Sequence, residues 1–159
     1  MKTSKIGIDL IKHFEGLHDG NLRVIGLQPK KCPAGIWTEG YGIAMRDSKG
    51  NFLKGSKMPI GTVKTQLEAE KQLARYLTVF EDIVMRRLKV KVKQNQFDAL
   101  VSHTFNTGGS STLFRLVNEN APKSDIDSWF KTKYITGGGK VLKGLIARRN
   151  AEAKLFFHE

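Results

Sequence analysis

Ile11-Lys12-His13-Phe14-Glu15-Gly16, residues 11–16, is the point at which this chain changes character. Upstream, Ser4 stands as a helix N-cap before Ile6, Ile8, Leu10, Ile11 and Phe14, whose spacings are dominated by i, i+3 and i+4. That pattern predicts a short amphipathic helix, and Gly16 ends it. Downstream, between residues 17 and 60, glycines stand at 20, 26, 35, 40, 42, 50 and 55 and prolines at 29, 33 and 59. Short segments at 36–44 and 51–53 lie among them, which predicts a small, turn-rich β region with Asp47-Ser48-Lys49-Gly50 as a hairpin turn. Glu15 therefore sits at the junction, at the end of a helix, where an acid can lean from an apolar wall toward whatever the sheet encloses.

Beyond the β region the period changes again. Thr65-Gln66-Leu67-Glu68 has the form of a capping box, and Leu73, Tyr76, Leu77, Phe80, Ile83, Val84 and Leu88 then recur on one face. A helix of about six turns, from about 66 to 88, is predicted. Phe97, Leu100, Val101, Thr104 and Phe105 form a second pattern that stops near Asn106 and Gly108, and a third begins at Ser111 or Thr112 and covers Leu113, Leu116 and Val117. Pro122, a loop at Gly137-Gly138-Gly139 and a last periodic run over 141–157 complete a C-terminal part expected to be helical nearly throughout. The fold class is α+β: one short helix, a small β lobe, and a larger helical lobe joined to it by the long helix.

A chain of 159 residues that is 40% hydrophobic can build one core, so a single domain over 1–159 is expected. Cys32 is the only cysteine, which excludes an intrachain disulfide and any thiol-pair metal or redox motif. Residues 1–14 alternate charged and apolar side chains without a signal-peptide core, and no run approaches the roughly 20 apolar residues of a membrane-spanning helix. Synthesis in the cytosol without a secretory signal is the expectation. The net charge of +12, from 27 Lys plus Arg against 15 Asp plus Glu, means long-range attraction to a polyanion, and nucleic acid, anionic lipid and an acidic wall all qualify. His13, His18, His103 and His158 lack metal-ligand spacing and read as surface or packing histidines, so no metal is implied. Gly137-Gly138-Gly139-Lys140 lacks the spacing and the following hydroxyl of a phosphate loop, and neither a nucleophile elbow nor an RNA-binding sheet pattern is present.

Three blocks around the junction carry more than composition does: residues 11–16; Cys32-Pro33-Ala34-Gly35-Ile36-Trp37-Thr38; and Gly40-Tyr41-Gly42. Together they resemble the phage lysozyme family, glycoside hydrolase family 24, whose pattern is a Glu, a spacer, an Asp or Cys, five residues and a Thr. Glu15, Cys32 and Thr38 match it, with residues 33–37 between the last two. The resemblance continues through Gln94-Asn95-Gln96-Phe97-Asp98-Ala99-Leu100-Val101-Ser102, Phe105-Asn106, Gly108, Ser111-Thr112-Leu113, and Gly139-Lys140-Val141-Leu142 through Arg148-Arg149 to Ala151-Glu152, in the family's order. Two departures stand out. The spacer from Glu15 to Cys32 holds 16 residues, twice the family's usual length, so an extra loop is expected at 22–31. Ile43 stands where the family commonly has histidine, and Glu39 where an apolar residue is usual.

The resemblance implies an active site in the cleft between the lobes and hydrolysis of the β-1,4 bond between N-acetylmuramic acid and N-acetylglucosamine in bacterial peptidoglycan, without a cofactor. A monomer is expected, with no nucleic-acid partner, accumulating in the cytoplasm of the producing cell and reaching the wall through a membrane pore. A catalytically weak or inactive peptidoglycan-binding homologue is the alternative, suggested by the missing aspartate at Cys32. Cleaving a glycosidic bond needs a proton for the leaving oxygen, and Glu15 is the candidate acid. Thr38 holds the attacking water by its hydroxyl or merely favours the strand. Cys32 assists as a base, positions water or packs, since a thiol is mostly neutral at pH 7; Asp19 and Glu39 are the other acids near by. Strand alternation puts Glu39 opposite Thr38. Phe105 and Asn106 match positions that contact substrate from the helical lobe. Trp37 and Tyr41 fit core better than sugar stacking. Arg148 or Arg149 pairs with an acid near the first helix or is solvated.

Overall fold

The computed structural model describes residues 1–21 and 23–158. Tertiary contacts divide the chain into two compact units, one of residues 1–14 with 77–159 and the other of residues 15–76. The helices are α1 (Lys5–Glu15), α2 (Gln66–Arg87), α3 (Gln94–Thr107), α4 (Ser111–Asn118), α5 (Lys123–Thr132) and α6 (Lys143–Phe156). The strands are β1 (Lys30–Lys31), β2 (Trp37–Glu39), β3 (Ile43–Ala44), β4 (Thr136–Gly137) and β5 (Lys140–Val141). Among the described residues, no helix is long and apolar enough to cross a membrane.

The helix ends follow their capping chemistry. The Ser4 carbonyl accepts from Ile8 N at 2.9 Å, and Gly16, at φ 68°, closes α1 after Glu15. Thr65 caps α2 by accepting from Glu68 N at 3.2 Å, while the Glu68 carboxylate reaches back to Lys64 N at 2.7 Å, one residue before the position a standard capping box uses. Ser110 caps α4 and Gly108, at φ 82°, ends α3.

In the larger unit α3 is buried on all sides from Phe97 to Thr104, which makes it the axis of the helical bundle. It packs against α6, with α5 against α6 and α4 against α5. Gly7 lets α1 approach this axis: a β-carbon there would come within 2.8 Å of Asp98 Cβ. Asp98 in turn accepts from Ser4 N at 2.9 Å and from the Ser4 hydroxyl. On the far side, Ser102 Oγ donates to Glu152 at 2.7 Å, and Arg148 and Arg149 close on the same carboxylate, Arg149 Nε lying 3.1 Å from Oε2 as an ion pair without hydrogen-bond alignment. Burial pushes the Glu152 carboxyl up, against the pull of the two guanidiniums and Ser102. Both arginines are buried, so the solvated reading does not hold for either.

The smaller unit is built on an antiparallel sheet of order β1-β2-β3, with Lys30 opposite Thr38 and Thr38 opposite Ala44. The turn at 47–50 forms as expected, with Gly50 N donating to the Asp47 carbonyl at 3.0 Å and Arg46 bridging Phe52. The expected loop over 22–31 is not all loop. Leu22 lies outside the described residues, but Lys30–Lys31 is strand β1, because Cys32-Pro33-Ala34-Gly35 turns the chain back so that Cys32 N donates to Ile36 O at 2.8 Å. The C-terminal part also differs from expectation. The glycines at 137–139 turn a small hairpin, β4–β5, and the last helix starts at Lys143 rather than 141, since Val141 is committed to pairing with Thr136.

His103 packs inside the larger unit against Trp129, Phe130 and Tyr134, at ring-centroid distances of 5.4, 5.7 and 5.4 Å. Burial, reinforced by Arg149 and Arg148, pushes its pKa down to about 3. An unfolded histidine takes a proton near 6.5, so between these values the unfolded state binds the extra proton and stability falls as pH falls. Denaturation midpoints recorded from pH 7 down to pH 4 are expected to show this acid-side loss, and His103→Phe, which keeps the aromatic packing, is expected to flatten it.

Candidate active site

Glu15, Cys32 and Thr38 all lie in the unit of residues 15–76. Glu15 is the last residue of α1 and half-buried. The chain passes its carboxyl group at Gly42, whose φ of 76° suits glycine, and a β-carbon at Gly42 would stand 3.0 Å from Glu15 Oε2 and 3.5 Å from His18 Nε2. The absent side chain at Gly42 is what leaves room for the acid.

Thr38, in the middle of β2, is buried and its hydroxyl is hydrogen-bonded on two sides. Its hydroxyl donates to the Lys30 carbonyl at 2.7 Å, across the strand pair, and lies 2.6 Å from His18 Nδ1. His18 itself is held by its backbone, pairing with Gly40. Burial lowers its pKa, with Lys30 acting in the same direction and the Glu15 backbone and carboxylate opposing. Cys32 directly follows β1, half-buried, and its free thiol follows from its being the only cysteine. The register sets Lys30 opposite Thr38, so alternation puts Cys32 and Thr38 on the same face of the β1–β2 hairpin.

Glu39 lies on the other face, as its parity requires, and is buried. Its carboxylate accepts from Thr62 N at 2.7 Å, from Gln72 Nε2 at 3.0 Å and from the Thr62 hydroxyl. These bonds make it a strap between β2, the segment before α2, and α2 itself. Asp19 accepts from Gln28 N at 3.0 Å and closes the loop that leads to β1. Trp37 and Tyr41 are core residues: Trp37 Nε1 donates to Gly55 O at 3.2 Å, and Tyr41 OH accepts from Gln66 at 3.4 Å. Among the described residues no group of three or more His, Cys, Asp or Glu could hold a metal ion.

Phe105 and Asn106 lie near the end of α3 in the other unit. Phe105 is half-buried and Asn106 exposed. Asn106 Oδ1 accepts from Arg149 Nη2 at 2.8 Å, so buried Arg149 fixes the amide orientation and turns the Asn106 NH₂ away as a donor. Arg148 sits with its guanidinium 5.7 Å from the Phe14 ring, beside the residue that precedes Glu15 in α1.

Sequence reasoning passed over His18. A single histidine in a loop carries no motif, and its partner Thr38 is twenty residues away. The one available hint was its place three residues after the candidate acid.

A helix ending in an acid, a short antiparallel sheet and a helical bundle built round a buried axis form the fold of solved lysozyme-like muramidases. An endolysin from Escherichia coli O157:H7 phage FAHEc1 superposes with a TM-score of 0.77 at 32% identity, covering 99% of this chain and 94% of that one. The muramidase domain of SpmX from Asticaccaulis excentricus gives 0.74 at 31% identity, with 99% of each chain covered. The family described as phage lysozyme matches residues 12–152, and the chain belongs to that family. Among its relatives, the endolysin of Acyrthosiphon pisum secondary endosymbiont phage 1 is 34% identical over 98% of both chains. The endolysin of Bacillus phage PZA is 36% identical over 98% of this chain, which spans only 55% of that longer protein.

If Glu39 is a strap and not a base, Glu39→Gln should destabilise the protein by about 1–2 kcal/mol, because an amide places a donor where Thr62 and Gln72 also donate. Turnover per folded molecule should stay close to wild type. Thermal melting alongside specific activity checks both halves.

Proposed function

We propose that this chain is a peptidoglycan-cleaving lysozyme in which Glu15 protonates the glycosidic oxygen, at the β-1,4 bond between N-acetylmuramic acid and N-acetylglucosamine. The observation that carries the reading is the family match across residues 12–152, which takes in Glu15, Cys32 and Thr38 within one compact unit. Both units are read as one lysozyme domain over 1–159. The +12 charge draws the protein, as a monomer, to an acidic wall rather than to nucleic acid. The endolysin relatives support synthesis in a producing cell and action on its wall after release, which we assign to a membrane pore.

The chemistry divides by residue. Glu15 gives its proton to the leaving oxygen as the bond from the anomeric carbon breaks, and positive charge spreads over the ring as in an oxocarbenium ion. Water attacks the opposite face, held in place at the Thr38 hydroxyl, and passes one proton to Cys32 or to a neighbouring water as the new C–O bond forms. Cys32 stands on the face of Thr38 and assists this step, while most of the rate comes from the proton that Glu15 gives to the leaving oxygen. Phe105 and Asn106 contact the sugar from α3, Asn106 donating its NH₂ to an N-acetyl carbonyl because Arg149 occupies its oxygen.

Glu15→Gln keeps the shape and loses the transferable proton. Release of reducing ends from purified peptidoglycan should fall by at least about 10²-fold while the melting temperature stays near wild type. More than a tenth of wild-type activity would remove Glu15 from the mechanism, and a wild-type protein that binds the wall without releasing reducing ends would establish the inactive alternative.

Cys32→Ala is expected to keep a measurable fraction of the rate, within about tenfold of wild type, and Cys32→Asp to equal or exceed wild type, since a carboxylate is the stronger base at neutral pH. A Cys32→Ala protein as inactive as Glu15→Gln would make the thiol indispensable and overturn this assignment.

A further inference from the structure

Thr38 Oγ has one proton and two lone pairs. The Lys30 carbonyl, 2.7 Å away, can only accept, so the Thr38 proton is committed to it. His18 Nδ1, 2.6 Å from the same oxygen, must then be the donor. The network thus assigns the ring a proton on Nδ1, which the Glu15 backbone carbonyl that also bonds the ring must then share, and in the neutral ring Nε2 carries none and stands beside Gly42, as does Glu15 Oε2. With one lone pair taken by His18 and the proton by Lys30, Thr38 has one lone pair for a third partner and no proton to offer.

We propose that His18 is the positioning residue of this site: by donating Nδ1–H to Thr38 it locks the hydroxyl as an acceptor, so that a water reaching Thr38 is held by one of its own O–H bonds and turns an oxygen lone pair toward the anomeric carbon. This rests on the reading of the chain as a lysozyme with Glu15 as acid. A Thr38 free to rotate would donate to that water as readily as accept from it, and a donated proton ties up one of the water's two lone pairs and draws electron density from the one that attacks. His18 acts through Thr38 and does not touch the sugar. Because Thr38 is buried, the hydroxyl cannot exchange its partners for bulk water. Lys30 and Glu15 are the charged groups that act on the ring, and burial, the largest effect on it, lowers its pKa and favours the neutral form. Protonation adds a proton at Nε2 and leaves the Nδ1 donor in place.

The first test is spectroscopic and independent of activity. Nitrogen-15 spectra of the His18 ring at neutral pH should show Nδ1 protonated and Nε2 bare, and Thr38→Val should relax the ring toward the Nε2–H form that free histidine favours. The second is kinetic. His18→Ala should lower kcat about tenfold, the loss of one oriented hydrogen bond, with KM unchanged. His18→Asn, whose amide NH₂ can stand where Nδ1–H stood, should restore kcat to within about threefold of wild type. The double variant His18→Ala/Thr38→Val should be no slower than Thr38→Val alone, since His18 acts only through that hydroxyl. A bare Nδ1 in the wild-type protein, additive losses in the double variant, or His18→Asn as slow as His18→Ala would each overturn the proposal. If His18→Ala does not fold, the wild-type spectrum and His18→Asn decide alone. Failure of the Glu15 reading would appear separately, as an active Glu15→Gln protein with the His18 tautomer unchanged.

Discussion

Strand β2 is three residues long, buried throughout, and two of its three side chains are polar. Burial at that density is tolerated only where each polar atom finds a partner, because an unpaired one costs on the order of 1–3 kcal/mol. The smaller unit is arranged to supply those partners. Trp37 hands its indole proton to Gly55, Thr38 sits between His18 and Lys30, and Glu39 takes Thr62 and Gln72. In this way one strand draws in the loop after α1, the first strand, the segment before α2 and α2 itself. The same bonds that make the strand stable put Thr38 and His18 in fixed orientations near the end of α1.

The parity of the strand separates structure from chemistry. Thr38 and Glu39 are neighbours in sequence and point to opposite faces, so one carboxylate serves as a strap while the adjacent hydroxyl is held on the side of Cys32. The larger unit follows a parallel rule. Its buried polar cluster of Ser102, Arg148, Arg149 and Glu152 ties α3 to α6, and through Arg149 it sets the orientation of Asn106.

Much of this was legible in the residues. The helix end at Glu15–Gly16, the Thr65 cap, the turn at 47–50 and the apolar face of α2 are local signals, fixed by side chains within four positions of each other. Glu15, Cys32 and Thr38 stood out as candidates because their order matches a family pattern. Strands β1 and β4–β5 were not, since two-residue strands have no period to read and arise only when a turn brings their partners back. Glu39 looked like a free acid because Thr62 and Gln72, which occupy it, are 23 and 33 residues away. His18 was discounted for the same reason: its importance lies in its distance from Thr38, not in its sequence neighbours.

The proposed reaction is a single displacement by a water held at Thr38 while Glu15 protonates the departing sugar, with no bond formed to the protein. The anomeric configuration of the newly released reducing end, read by proton NMR in the first moments of hydrolysis before mutarotation, tests this most directly. Cleavage of the β-linked strand should deliver the α anomer first. The β anomer appearing first would mean a covalent glycosyl-enzyme, and with it a nucleophile where this account places only water.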